Sequence, residues 1–368
     1  MIRVVNIVGA RPNFMKMAPI HRLMQQHPAF DPVLIHTGQH YDERMSRIFF
    51  EELQMPQPDL YLGVGSGSHA EQTAQVMMHL EPELLRLRPH LVIVVGDVNS
   101  TLAAALTAVK LHIPVAHVEA GLRSFDWTMP EEINRMLTDA ISSYLFVTEP
   151  SGLENLEREG QDPQHIFFVG NVMIDTLEAH IARAEKHSSI LARLGLRSRQ
   201  YALLTLHRPG NVDHRPTLEN ILQALKKIQD ELPLVFPAHP RTVKNMEHFG
   251  FLEQVRQWPN FRLLEPVGYL DFLHLMKHAR VVLTDSGGIQ EETTVLGVPC
   301  LTLRPNTERP ITIEMGTNRL VGSDPKTILA AFREAMNGFP TDAHRPPKWD
   351  GQAARRIVEI LAEKCTPQ

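Results

Sequence analysis

The sequence predicts an α/β chain built from two Rossmann-like halves facing each other across a cleft. Three observations lead there. Short β-branched apolar runs alternate with longer helix-forming stretches along most of the chain. At 368 residues the chain exceeds what one hydrophobic core commonly supports. The alternation stops at a basic polar segment, 195–200, and begins again at 201, which reads as a repeated architecture rather than one large sheet. The expected domains are 1–170 and 171–350, followed by a closing helix in 351–368.

Residues 2–8 form a continuous apolar run that reads as a buried strand, and Gly9-Ala10-Arg11-Pro12-Asn13 turns it into a helix reaching about His27. Arg11 and Lys16 stand on that turn and its first helical stretch, the ligand-facing edge of an open α/β sheet. Asp31 to Thr37 reads as the second strand, and Gly38 to Asp42 leads into a helix ending near Leu53. Gly63-Val64-Gly65-Ser66-Gly67-Ser68 resembles part of a dinucleotide fingerprint. It follows no strong strand and lacks the third glycine at the required place, so a loop before the helix 69–87 is the better reading.

The next two βα units carry the richest chemistry. Strand 91–95 ends in Gly96-Asp97, helix 99–110 follows, and strand 114–118 ends in Glu119-Ala120-Gly121. A right-handed crossover makes the two strands parallel and sets Asp97 and Glu119 on one rim. Neighbouring strands lie about 4.8 Å apart, so the two acids are expected to couple and to offer one proton donor and one acceptor. The connection 120–130 is long and ends in Met129-Pro130-Glu131-Glu132, with proline at a first helical position. Glu131 is a candidate site residue; Glu132 reads as a complement to the helix dipole. Strand 141–148, helix 151–159 and strand 165–169 complete the first half.

A helix from about Met173 to Leu194 joins the halves, and the second half opens with strand 201–206 and the turn His207-Arg208-Pro209-Gly210-Asn211. Helix 217–231 and strand 233–237 lead to Ala238-His239-Pro240-Arg241-Thr242. Strand 261–264, helix 269–278 and strand 281–284 follow. That last strand ends in Asp285-Ser286-Gly287-Gly288 before another helix. Free N–H groups at such a helix start, aided by its dipole, suit a phosphate, although Ser286 as an ordinary cap is the competing reading. Glu292 lies one turn further on, within reach of sugar hydroxyls. Strand 299–303 precedes Asn306-Thr307-Glu308-Arg309-Pro310. His207, His239, Arg241 and Arg309 thus gather near an anion-binding helix start. A helix at about 351–364 with an Ile/Leu stripe closes the chain.

Composition limits what this cleft serves. The 43% hydrophobic and 21% charged fractions are those of a globular protein, no apolar run approaches the ~18 residues of a membrane span, and the first residues lack a signal-peptide layout. A cytoplasmic location is expected. A net charge of −5 argues against a nucleic-acid surface, so an anionic ligand needs locally placed cations. With only Cys300 and Cys365, neither a disulfide nor a zinc cluster is expected, and no metal or cofactor enters the reading. Carboxylates on one wall and a phosphate cradle on the other fit a nucleotide sugar, used by either a glycosyltransferase or an epimerase.

Taken together, Gly9 to Asn13, Gly96-Asp97-Val98-Asn99-Ser100-Thr101, His117 to Arg123, Met129 to Arg135, Thr284 to Glu292 and Glu308-Arg309-Pro310 closely resemble the non-hydrolysing UDP-N-acetylglucosamine 2-epimerases, in family order from Ile2 to about Gly322. The resemblance implies a GT-B, glycogen-phosphorylase-like fold whose C-terminal helix returns to the first domain. It implies a homodimer and interconversion of UDP-GlcNAc and UDP-ManNAc for cell-surface polysaccharide precursors. A related UDP-sugar, such as a diacetamido uronic acid, and a GT-B glycosyltransferase are the alternatives. Asp97, Glu119, Glu131 and His207 match the catalytic positions. In that chemistry Arg11, Lys16 and Arg309, with Ser286, Gly287 and Gly288, would stabilise the departing diphosphate, and the resemblance puts Glu292 on the uridine ribose; His239 and Arg241, at the same rim, are taken as substrate-binding from their place. Gly210 stands where the family commonly has glutamate, and Trp127 where it often has arginine. Gln39-His40-Tyr41-Asp42-Glu43 departs from the motif of allosterically regulated members.

Overall fold

The computed structural model describes residues 1–38, 57–337 and 344–365. The expected helix near 43–53, the Gln39 to Glu43 stretch and the side chain of Arg11 lie outside the described residues. The chain is an α/β fold with two parallel sheets and separates into two compact units, Met1–Ala179 with Pro347–Gln368, and His180–Pro346.

The first unit holds a seven-stranded sheet of order β3-β2-β1-β4-β5-β6-β7. Its strands are β1 (Ile2–Val8), β2 (Phe30–His36), β3 (Leu60–Tyr61), β4 (Leu91–Val95), β5 (Val115–Ala120), β6 (Tyr144–Val147) and β7 (Ile166–Phe168). β4 is buried at every residue, because helices cover both faces of a parallel sheet and only an unbroken apolar run is stable there. Helices α1 (Arg11–Gln26), α2 (His69–Leu87), α3 (Asn99–Lys110) and α4 (Pro130–Ile141) carry the connections used below. The glycine-rich passage 63–68 ends in the cap of α2. Ser68 Oγ accepts from Glu71 N at 3.2 Å, while Ser68 N donates to Glu71 Oε2 at 2.9 Å.

Strand order reverses between β1 and β4, with Val4, Val5 and Asn6 paired to Leu91, Val92 and Ile93. Such a switch point opens a crevice beyond the carboxyl ends of the two strands, where ligands of open α/β sheets bind. The turns entering it are Gly9 to Asn13 and Gly96 to Asn99.

The second unit repeats the plan with six strands, β8 (Ala202–Thr205), β9 (Leu234–Pro237), β10 (Phe261–Leu264), β11 (Val281–Thr284), β12 (Cys300–Thr302) and β13 (Asn318–Leu320). Their order is β10-β9-β8-β11-β12-β13, so the reversal falls between β8 and β11 and exposes the turns at His207 and Ser286. Leu204, Leu225, Ile228, Leu234, Leu283 and Phe332 belong to its core. The segment expected as one helix over 173–194 divides into α5 (Val172–His187) and a turn at Ile190–Arg193. Ser188 breaks it: its hydroxyl donates to Asp271 Oδ1 at 2.5 Å and accepts from Ile190 N at 3.3 Å, an alternative to helical bonding. Helices α6 (Tyr269–His278) and α7 (Gly287–Leu296) follow β10 and β11. The closing helix α8 (Ala353–Cys365) belongs to the first unit, buries Ile357, Val358 and Leu361, and packs on α1. Its first N–H groups donate to Asp175, at 2.8 Å from Ala354 and 3.2 Å from Ala353.

Candidate active site

In the first unit, the site is assembled at the β1/β4 switch. Asn13 fastens the first turn to the end of β4: its Oδ1 accepts from Ala10 N at 2.9 Å and its Nδ2 donates to Val95 O at 2.9 Å. That anchor directs Lys16, one turn along α1, to Glu119 Oε2, with both side chains buried. Glu119 stands on a bulge of β5, where pairing with β6 shifts between Val118 and Ala120. Its φ of 74° lies in the left-handed region that residues with a Cβ rarely occupy, at a cost of roughly 1–3 kcal/mol. Such strain persists where surrounding contacts over-determine the conformation, and it re-aims the carboxylate away from the strand alternation. Gly96, with φ 68°, forms the facing wall. A Cβ there would lie 3.3 Å from Glu119 Oε2 and 3.4 Å from Lys16 Nζ.

Asp97 is held separately. Arg135 Nη1 donates to Asp97 Oδ2 at 2.5 Å, and Asn134 Nδ2 donates to the Asp97 carbonyl at 2.9 Å. Each of the two acids thus has its own cation, Lys16 for Glu119 and Arg135 for Asp97. Arg135 also binds Glu132 Oε2 at 2.6 Å. Glu132 in turn accepts from Ser124 N at 2.9 Å, Phe125 N at 2.8 Å and Ser124 Oγ at 2.9 Å. Burial pushes its pKa up, but those N–H groups and Arg135 outweigh it and hold the carboxyl below the usual range. Glu132 stands in the first turn of α4, as the helix-dipole reading expects, and it also pins the long loop and the Asp97 partner. Glu131, its neighbour on the first turn of α4, is half-buried.

Beneath this rim a fully buried chain of polar groups fixes the strand ends. His117 meets Gly96 O through Nε2 at 2.8 Å and Asp139 Oδ1 through Nδ1 at 2.6 Å. Asp139 Oδ2 accepts from Gly121 N at 3.0 Å and pairs with Arg123 at 2.7 Å. Burial opposes the Asp139 charge, yet His117, Arg123 and Gly121 N–H together hold its pKa down. Asp139 and the roles of His117, Glu132 and Arg135 escape the linear reading; the His117–Asp139 register, one strand residue against one helix face, is visible only once β5 and α4 pack.

In the second unit, the β8/β11 switch gathers His207, Asp285, Ser286, Gly287, Gly288, Glu292 and Arg309. Asp285 is buried and accepts from His207 N at 3.0 Å, Arg208 N at 2.8 Å and Asn211 Nδ2 at 3.2 Å. Its Oδ1 lies 2.9 Å from His207 Nδ1, which leaves Nε2 of this partly exposed imidazole as the outward nitrogen. Burial raises the Asp285 pKa, but the His207 and Arg208 contacts prevail and lower it. This dyad orients His207 as a carboxylate orients a general base.

Ser286 makes no side-chain cap bond, so the plain capping alternative is not realised at the start of α7. Arg309 packs over Gly287, where a Cβ would come within 2.6 Å of Arg309 Nη1 and 2.8 Å of Glu308 Oε1. Arg309 is buried between Glu291, at 2.5 Å from its Nε, and Glu308, which also binds Arg304 at 2.8 Å. Glu292 is buried, with Tyr269 Oη donating to Oε1 at 2.9 Å. Burial raises its pKa to about 8, with the Glu291 charge adding and the Tyr269 hydrogen bond opposing. His239 caps the helix Pro240–His248 by accepting from Arg241 N at 3.2 Å, and its ring lies 6.4 Å from that of His207. Arg241 is exposed and forks onto Asp213.

A doubled Rossmann plan of this kind, with polar groups collected at each switch point, defines an α/β enzyme of the GT-B class. Residues 22–362 match the family model described as UDP-N-acetylglucosamine 2-epimerase, and the chain belongs to that family. It is 45% identical to the UDP-N-acetylglucosamine 2-epimerase of Methanocaldococcus jannaschii over 96% of this chain and 97% of the relative. The UDP-2,3-diacetamido-2,3-dideoxy-D-glucuronate 2-epimerase of Pseudomonas aeruginosa is 40% identical over 98% of this chain and 100% of its own. Among solved structures, the M. jannaschii UDP-GlcNAc 2-epimerase in complex with UDP-GlcNAc and UDP is 44% identical, covers 98% of this chain and 100% of its own, and superposes with a TM-score of 0.91.

Proposed function

We propose that this isomerase interconverts UDP-GlcNAc and UDP-ManNAc by eliminating UDP to 2-acetamidoglucal and adding it back. One observation carries the reading: the bulge-held Glu119, paired with buried Lys16 at a switch point, occurs in a chain matching over 98% of its length a relative solved with UDP-GlcNAc and UDP.

The chemistry follows from the substrate. The proton on C2 lies beside no carbonyl carbon and is not acidic, so its removal must be coupled to loss of a leaving group. A carboxylate takes that proton as the C1–oxygen bond breaks and the electron pair leaves with UDP; the return step adds the UDP oxygen to C1 and delivers a proton to the opposite face of C2. Asp97, Glu119, Glu131 and His207 supply the proton-transferring groups. Lys16, Arg11 and Arg309, with the backbone donors of Ser286 to Gly288, meet the charge that grows on the departing diphosphate. Glu292 receives the ribose, and His239 and Arg241 complete the substrate-binding set.

A second reading, epimerisation of a diacetamido uronic acid linked to UDP, is favoured by the 40% identity to the P. aeruginosa enzyme. Among the described residues no helix is long and apolar enough to cross a membrane, which suits a cytoplasmic enzyme supplying precursors of surface polysaccharide. Exposed Met78 and Leu85 on α2, with Ile133 and Leu137 on α4, suit a homodimer contact. Incubation with each UDP-sugar alone, followed by proton NMR, tests the reading. Epimer formation with UDP-GlcNAc is expected; binding without turnover, or turnover of the uronic acid only, would replace it.

A further inference from the structure

A second polar cluster lies within the second unit, away from the residues assigned to turnover. Glu185 on α5 and His274 and His278 on α6 each offer one ligand atom, a carboxylate oxygen or a ring nitrogen, and the three lie within 4.8 Å of one another. The two histidines are four residues apart, so one helix face carries both rings, with centroids 4.6 Å apart. Glu185 Oε1 lies 3.0 Å from His278 Nε2 and 3.7 Å from His274 Nδ1. Ligand atoms about 2.0–2.2 Å from one tetrahedral ion stand roughly 3.3–3.5 Å apart, so the two carboxylate–imidazole pairs are already near that spacing. His274 is 9% exposed, and its buried Nδ1 makes no hydrogen bond among the described residues. On His278 the other nitrogen, Nδ1, stands 2.9 Å from Ser198 Oγ. With its hydrogen there, donating to Ser198, Nε2 keeps a lone pair for a metal, the outer arrangement that commonly orients ligating histidines.

We infer that Glu185, His274 and His278 form a site for one zinc-class divalent transition ion, distinct from the reaction site and serving to fasten the end of α5 to α6. Two imidazoles and one carboxylate favour zinc, cobalt or nickel over the oxygen-seeking magnesium and calcium. Lys277 Nζ competes for the same carboxylate oxygen, at 3.2 Å. Its ammonium opposes the ion, so removing it strengthens the site.

The test uses the full chain stripped with chelator, titrated with Co(II) for its tetrahedral absorption bands and with Zn(II) by calorimetry. One Zn(II) per chain and a rise in Tm are expected, with no such rise from Mg(II). The substitutions H274Q and E185Q each weaken Zn(II) at least ~10- to 100-fold, the scale at which even outer-shell changes act. K277Q strengthens it several-fold, while epimerase turnover in chelator stays near the parent value in all three. Circular dichroism verifies that each variant folds. Absence of tetrahedral Co(II) bands in the parent, or Zn(II) affinity that is the same in folded H274Q, E185Q and parent, would overturn the assignment. Unchanged or weakened affinity in K277Q would equally overturn it, since a plain ion-pair cluster gains nothing from that loss.

Discussion

The two switch points are built alike in topology and differently in electrostatics. At β1/β4 each cation has a carboxylate and each carboxylate a cation: Lys16 with Glu119, Arg135 with Asp97 and Glu132. The polar groups are fixed individually, and one of them, Glu119, is held in a strained backbone. At β8/β11 a buried Arg309 rests between two glutamates above a helix start whose Ser286 leaves the first N–H groups uncapped. The first arrangement suits moving a proton at a defined atom; at the second, the helix start left uncapped by Ser286 suits a group that brings its own negative charge. His207 is where this division is not strict, because the second unit contributes an oriented imidazole as well.

The largest effect is expected from Glu119→Gln, which keeps the shape and removes the charge. Turnover should fall about 10²- to 10⁴-fold in a continuous epimerase assay, the scale of a lost general acid–base group. Asp285→Asn comes next. With the His207 partner uncharged, turnover should drop roughly 10- to 100-fold and the pH–rate profile should move, whereas a merely structural Asp285 would change Tm and leave the profile in place. Gly287→Val should weaken UDP at least ~10-fold by calorimetry, because the new side chain displaces Arg309 and Glu308, whose atoms lie 2.6 and 2.8 Å from the Cβ position. Unchanged affinity in the folded variant would make that turn an ordinary helix start.

The last effect concerns stability. Burial raises the Glu292 pKa to about 8 from the model-compound 4.5, so between those values the native state holds a proton that the unfolded chain releases. Glu292 therefore makes stability fall as pH rises through that window, by up to about 1.4 kcal/mol per pH unit, and the fall levels off above about 8. Denaturation midpoints from pH 5 to 9 should decline less steeply in Glu292→Gln. Parallel curves for the two proteins would mean the carboxyl is ionised in the native state at neutral pH.

Much of this was legible in the linear sequence because the central strands of a parallel sheet must be apolar on both faces: Leu91 to Val95 and Val281 to Thr284 have no other reading. The edges were not. Leu60–Tyr61 and Asn318–Leu320 are two and three residues long and show no apolar run, since one neighbouring strand is all that holds them. Candidate residues at the rims were legible from their place after a strand. Their partners were not, because Arg135 reaches Asp97 across 38 positions and Asp285 reaches His207 across 78, distances that only the packed sheet closes. The left-handed backbone at Glu119 had no signal either; a bulge arises from how β5 meets β6, not from the local residue types.

The division between the two switch points is tested most directly by UDP binding to Glu119→Gln, measured by titration calorimetry on protein whose turnover has been lost. The account predicts a dissociation constant within about threefold of the parent, because the diphosphate is received at β8/β11 and the proton is moved at β1/β4. A loss of UDP affinity parallel to the loss of turnover would contradict it and make the Glu119 carboxylate itself a determinant of UDP binding.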